Sequence, residues 1–289
     1  MGGEAIMKPA VGGARTLDPD ADLAGRLVVL APHMDDELIG CGALLASVAD
    51  GDRVTVVYVT DGTGSPEPPT PWHDVDRAAL ARTRQEEALA GLEALGVSPD
   101  RARFLELPDG RLRRLGPRLR AALTESLAEL RPQHVLIPFR MDRHPDHLAV
   151  HRSVLHPEVR AAPGGNCRFH EYFVYSQWKL LPGGDIRAWI DPGLLRALEP
   201  SDEAGRRKRR ALELHRTQST VHFPWQSRPN LTSAFLDRVT AEPELLLDTS
   251  RAPLGMGVFR GGTVRIRAAH TLEPILKRAK DRILALVGR

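Results

Sequence analysis

Four times between residues 27 and 138 a short apolar run gives way to a helical pattern, and that alternation restricts the chain more than any other feature. Leu27 to Ala31, Arg53 to Thr60, Arg103 to Leu107 and Gln133 to Pro138 have the length and β-branched or apolar character of strands. Between them, Leu38 to Val48 carries Leu38, Leu44, Leu45 and Val48 at helical spacing. Val75 to Leu95 is a long amphipathic stretch halted by Gly96, and Pro117 to Leu130 repeats the pattern. Strands that alternate with helices build a mostly parallel sheet with helices on both faces, so the expected fold class is α/β.

The flanks are expected to be simpler. Residues 1 to 22, with Gly2, Gly3, Gly12 and Gly13 and no apolar period, are expected as a mobile tail before a single domain over 23–289. Past residue 156 the cadence loosens. Glu171 to Trp178 and Ile186 to Ile190 are expected as strands that add antiparallel at a sheet edge, Ser201 starts a helix reaching about His215, and Pro274 to Val287 is expected as a final helix. The Pro-rich segment 62–74 follows a strand end and is expected as a lid or substrate loop.

Charge and composition narrow the partners. Forty basic against 37 acidic residues leave +3, too small an excess for a nucleic-acid surface. The run Arg206 to Arg210 precedes Ala211, Leu212 and Leu214 and is expected as a solvated helix face. Two cysteines exclude a disulfide scaffold, and there is no signal-peptide layout or membrane-length apolar stretch. The expectation is a cytoplasmic protein with no membrane anchor and a small-molecule partner.

Ligands of open parallel sheets bind beyond the carboxyl ends of the strands. Leu27 to Ala31 ends in His33, Asp35, Asp36 and Glu37, acids and an imidazole that perturb one another unless a cation sits among them. Gln133 to Pro138 leads to His144-Pro145-Asp146-His147. Proline suits the first helical position, which sends His147 toward the same edge. His33, His147 and one carboxylate make a three-ligand set suited to zinc with an open position, Fe2+ or another divalent ion being alternatives. Spacing alone leaves open which aspartate is the ligand. Asp146 is expected to hold His144 or a ligand histidine in one tautomer, and His151 is expected to be structural or on the surface.

The motif Pro32-His33-Met34-Asp35-Asp36-Glu37 with His144-Pro145-Asp146-His147 resembles the LmbE-like, or PIG-L-type, zinc N-deacetylases. Weaker matches are Thr60-Asp61-Gly62, Arg84-Gln85-Glu86-Glu87, Leu107-Pro108-Asp109-Gly110 and His215-Arg216-Thr217-Gln218, and the likeness spans about residues 25–220, leaving 221–289 as an extension. Met34 departs from the proline common there. The resemblance implies a Rossmann-like fold and removal of an N-acetyl or other N-acyl group from an amino sugar or related small molecule. It also implies Asp36 as metal ligand with His33 and His147, Asp35 as general base, and His144 as oxyanion donor and acid. Arg84 and Asp109 would grip the substrate. Cleavage of a larger amide, such as a thiol conjugate, needs the same residues. The spelling His33-x-Asp35…His147 also matches the facial triad of non-haem iron oxygenases, whose antiparallel barrels this cadence does not build.

Overall fold

The structure, a computed structural model, describes residues 12–48, 50–65, 75–249 and 255–287, with the backbone alone described at 274 and 277–287. In chain order it contains β1 (Arg15–Thr16), α1 (Pro19–Asp22), β2 (Leu27–Ala31), α2 (Asp36–Ser47), β3 (Val54–Thr60), α3 (Arg77–Leu95), β4 (Ala102–Leu107), α4 (Gly116–Leu130) and β5 (His134–Pro138). There follow α5 (Pro145–Val154), α6 (Pro157–Ala161), β6 (Arg168–Tyr172), β7 (Leu195–Leu198), α7 (Asp202–Leu214), α8 (Arg216–Ser219), α9 (Ser233–Ala241), β8 (Glu244–Asp248) and α10 (Thr263–Val287).

The strands form one sheet in the order β1-β7-β8-β6-β5-β2-β3-β4. From β6 to β4 every pairing is parallel, and β2 and β3 are buried along their whole length, as strands covered on both faces must be. The chain leaves β2 toward β3 and β4, then returns to lay β5 on the other side of β2. The carboxyl ends of β2 and β5 therefore flank a reversal of strand order, the place where α/β sheets open a crevice for ligands. One apolar layer packs α2, α3 and α7 on one face of the sheet, and a second packs α4 and α5 on the other.

Several expectations change outside this core. Residues 15–22, expected as tail, form β1 and α1. β1 pairs parallel with β7, Leu17 is buried, and Arg53 binds the Leu23 and Pro19 carbonyls and the Asp20 carboxylate. Residues 1–11 lie outside the described residues, as do 66–74, most of the expected lid. Ile186–Trp189 is a 3-10 turn and not a strand, because the Asp185 side chain accepts from the Arg187 amide and closes the backbone locally. The antiparallel pairings come instead from β8, which lies inside the sheet against both β6 and β7. The last helix begins at Thr263, eleven residues before the expected start.

The basic run in α7 is only partly a solvated face. Arg207 donates to the Ala94 and Ala46 carbonyls, the exposed ends of α3 and α2 where a cation is favoured. Lys208 is buried and pairs with Glu244 at 2.6 Å. Among the described residues no helix is long and apolar enough to cross a membrane.

Candidate metal centre and active site

The turn after β2 carries the site. Pro32 is tied down by Thr60, whose amide and hydroxyl both donate to its carbonyl. Asp35 then takes φ 152°, ψ −17°, a backbone region that costs a residue with a Cβ energy and that the surrounding contacts must hold. This twist starts α2 directly at Asp36 and turns the two adjacent carboxylates apart. Gly40, one helical turn on, lies so close to Tyr172 that a Cβ there would stand 2.3 Å from the ring, which draws α2 down on the sheet.

Asp36 Oδ2, His33 Nδ1 and His147 Nε2 form a triangle with edges of 3.0, 3.1 and 3.2 Å. Zinc bound by oxygen and nitrogen at its usual distances in tetrahedral geometry separates its ligands by about 3.4 Å, so this donor set fits a divalent cation after shifts of a few tenths of an ångström. The Asp36 carboxylate also accepts from the His33 amide at 2.8 Å and keeps its other oxygen buried without a partner. Asp35, in contrast, has no side-chain partner among the described residues. The two aspartates thus differ in place, Asp36 at a corner of the triangle and Asp35 outside it.

Behind the triangle stands a ring of carboxylates. Asp142 Oδ1 lies 3.1 Å from His147 Nδ1, which leaves Nε2 of that ring facing the cluster. Asp109 Oδ1 lies 3.1 Å and Asp146 Oδ2 3.5 Å from His33 Nε2. Asp146 also accepts from the Gly110 and Leu112 amides, and Asp109 from Gly64, so the loops after β3 and β4 are anchored to the same histidine. Asp109 therefore has His33 and the Gly64 amide as partners within the protein. The Asp146 carboxylate faces the His33 ring.

His144 is the N-cap of α5, its Nδ1 accepting from the Asp146 amide at 3.3 Å. That bond makes Nδ1 the acceptor of a neutral ring and puts the proton on Nε2. The ring stands edge-on to His33, 4.5 Å between centroids, and 5.0 Å from His147. Burial, with His33 and His147 nearby, holds its pKa down at about 4, so the ring stays neutral. His33, His144 and His147 also present ligand atoms close enough to share a cation.

Burial and the Asp36 charge push the Asp35 carboxyl up to about 7, the range of a general base at neutral pH. Burial alone would raise Asp36 too, but His147 and His33 hold it far below the usual carboxylate range. Asp36 and Asp142 in turn raise His147 to about 9 against its burial. A cation would replace the protons these histidines otherwise hold.

Arg84 comes in from α3, buried, with its guanidinium donating to the Ser65 carbonyl and within the field of Asp35 and Asp109. Its motif neighbour Glu87 accepts from both the amide and hydroxyl of Thr217, which joins the two weaker sequence motifs. His151 is structural, at 3.2 Å from Glu171, itself paired with Arg140. Two site residues escaped the sequence reading. Asp142 had the spacing Asp-x-His-Pro-Asp-His as a signal. Tyr175, 41% exposed and with its ring 5.5 Å from that of His147, had none, because its place depends on the loop after β6.

A Rossmann-like parallel sheet with a clustered His/Asp centre at its switch point defines the class of the molecule, an α/β protein built around a candidate metal site. Residues 28–157 match the family described as PIG-L, GlcNAc-PI de-N-acetylase. The chain is 35% identical to a 1D-myo-inositol 2-acetamido-2-deoxy-alpha-D-glucopyranoside deacetylase of Kineococcus radiotolerans, across 53% of this chain and 52% of that protein. It is 32% identical to the same-named enzyme of Streptomyces scabiei, across 52% and 53%. The chain thus spans about half the length of the curated relatives it matches. Among solved structures, N,N'-diacetylchitobiose deacetylase of Pyrococcus horikoshii superposes with a TM-score of 0.56 at 20% identity, covering 79% of this chain and 84% of that one. A zinc-inhibited form of teicoplanin deacetylase gives 0.56 at 20%, covering 77% and 97%. At these identities the two structures establish the fold.

Proposed function

We propose that the protein is a metal-dependent N-deacetylase that hydrolyses the acetamide of an amino sugar or an amino-sugar-containing small molecule. The observation that carries this reading is the pairing of a three-atom cation triangle with an adjacent carboxylate, Asp35, that has no side-chain partner among the described residues. The relatives named as deacetylases of a 2-acetamido sugar support the substrate class.

His33, Asp36 and His147 would hold the metal, zinc by the character of the donor set. When bound, such an ion lowers the pKa of water and polarises a carbonyl. Asp35, free and shifted upward, takes a proton from the attacking water as its oxygen adds to the acetamide carbon. His144 Nε2–H donates to the carbonyl oxygen as negative charge develops there. Asp35 then returns the proton to the amide nitrogen, the C–N bond breaks, and acetate and a free amine leave. Asp109 and Asp146 keep His33 in place, while Arg84 braces the loop at Ser65 beside Asp35.

The test is metal-loaded protein incubated with a panel of N-acetylated amino sugars and larger amides, read by mass loss of one acetyl group. Asp35→Asn is expected to keep the metal and lose roughly 10²–10⁴-fold in turnover. An Asp35→Asn protein that turns over at the wild-type rate would overturn the general-base role, and inertness of the wild type toward every acetamide in the panel would overturn the reading itself.

A further inference from the structure

The outer face of α5 lines a second concavity. Pro145, Leu148 and Arg152 recur three and four residues apart and so share a stripe of the helix, apart from the stripe of His147, His151 and Val154 that is buried in the protein. Between that outer stripe and the first turns of α10 lies a cavity of about 180 Å³, walled also by Arg113, Arg143, Trp178 and His270. One enclosed water needs about 10–15 Å³ on this kind of measure, so the space holds an oxyanion and the first atoms of whatever carries it.

The hydrogen-bonding capacity of the wall is lopsided. Its two acceptors are already used. Asp142 accepts from the His144 and Tyr175 amides and faces His147, and Glu273 accepts from the Leu180 amide and pairs with Arg143 at 3.0 Å. The charge left unpaired is all cationic. Arg113 and Arg152 have no ion pair or hydrogen bond among the described residues. Trp178 is 1% exposed, yet its indole N–H is buried without a partner, a costly state unless something else satisfies it. The His270 ring lies 5.5 Å from the Trp178 ring, and burial and Arg152 lower its pKa, which keeps it neutral and able to offer an N–H. Unpaired guanidiniums and a dry indole N–H around an apolar floor of Leu148 and Trp178 match a group that only accepts, with its charge spread over several oxygens.

We propose that this cavity is a binding site for a small oxyanion of the phosphate or sulfate type, separate from the metal centre but joined to it through the shared loop Asp142–His144. The anion is either free in solution or a substituent carried by the substrate. Inorganic phosphate is the probe, titrated into the full chain at ionic strength held constant with chloride and followed by calorimetry and by unfolding temperature. Wild type is expected to bind saturably and to melt higher. Arg113→Gln with Arg152→Gln, both exposed positions, should weaken binding roughly tenfold or more, and Trp178→Phe, which keeps a ring and removes the N–H, should weaken it several-fold. Phosphate that raises KM for an acetamide substrate at unchanged kcat assigns the anion to the substrate, and phosphate without kinetic effect assigns it to solution. Absence of saturable binding overturns the site. So does binding that survives the arginine exchanges, since phosphate held at the metal would behave that way. The binding arm does not depend on the deacetylase reading.

Discussion

Asp142 shows how much of this centre rests on one side chain that touches no substrate. One of its oxygens faces His147 Nδ1 at 3.1 Å and accepts from the His144 amide, while the other accepts from Tyr175, so it fixes a ligand ring, the cap of α5 and the aromatic wall together. Asp142→Asn offers an amide where the ring needs an acceptor, and either the His147 tautomer or its orientation is then lost. Metal affinity is expected to fall roughly 10–100-fold, read by competition with a chelator of known affinity, and an unchanged affinity would remove Asp142 from the centre. At this scale the sequence was legible where chemistry crowds locally. His33, Asp35 and Asp36 stand within four positions, and His144 to His147 within another four. Asp109 was legible as a residue but not in its partners, because its bond to His33 joins loops more than seventy positions apart. Tyr175 was not legible at all, since it fell inside the expected strand Glu171 to Trp178, which ends at Tyr172, and a tyrosine in a strand is ordinarily core.

Among the elements, α2 carries the strain of holding the site. Its backbone leaves helical geometry at Cys41 (φ −149°, ψ 22°), so the two halves expose an end to one another inside the protein. Glu244 from β8 accepts from the Ala43 and Leu44 amides that open the second half. Lys208 from α7 donates to the Ile39 carbonyl that closes the first half, and the two charges meet at 2.6 Å. Replacing one partner leaves a buried charge without its counterion. Lys208→Met is therefore expected to destabilise by about 3–5 kcal/mol, with Lys208→Met/Glu244→Gln recovering part of that loss, as measured by urea denaturation. A single exchange that costs under a kilocalorie would mean the pair does not support the break. The parallel strands were readable because Leu27–Ala31 is apolar throughout and Val54–Thr60 is mostly β-branched. The break in α2 was not, because Gly40 and Gly42 announce close packing without saying what packs there. β7 and β8 were missed because four or five residues whose neighbours lie far along the chain carry no period of their own.

For the whole molecule, part of the response to acid lies at the end of the sheet away from the site. His134 and His170, on neighbouring strands β5 and β6, stack with centroids 5.3 Å apart and share a 3.1 Å nitrogen–nitrogen contact that permits one proton between them. Burial and nearby arginines lower both, with the His134 ring adding to the effect on His170, which falls to about 4, and burial beside Arg84 lowers His215 to about 3. The unfolded chain protonates these rings near their ordinary value of about 6.5, whereas the folded chain resists. From about pH 6.5 downward these rings therefore bind more protons in the unfolded state, and their contribution to stability falls until the folded rings themselves titrate near pH 4, against the opposite contribution of the raised Asp35 and Glu37 carboxyls. Each unit of depression is worth about 1.4 kcal/mol, so His170 alone accounts for a few kcal/mol across that window. Loss of the metal on acidification acts in the same direction, which is why the comparison must hold metal content fixed. His170→Phe keeps a ring against His134 and removes one titrating group far from the ligands. Its urea midpoint is expected to decline less steeply than that of wild type between about pH 6.5 and pH 4, at equal metal occupancy, and parallel slopes for the two proteins would place the acid sensitivity at the metal centre instead.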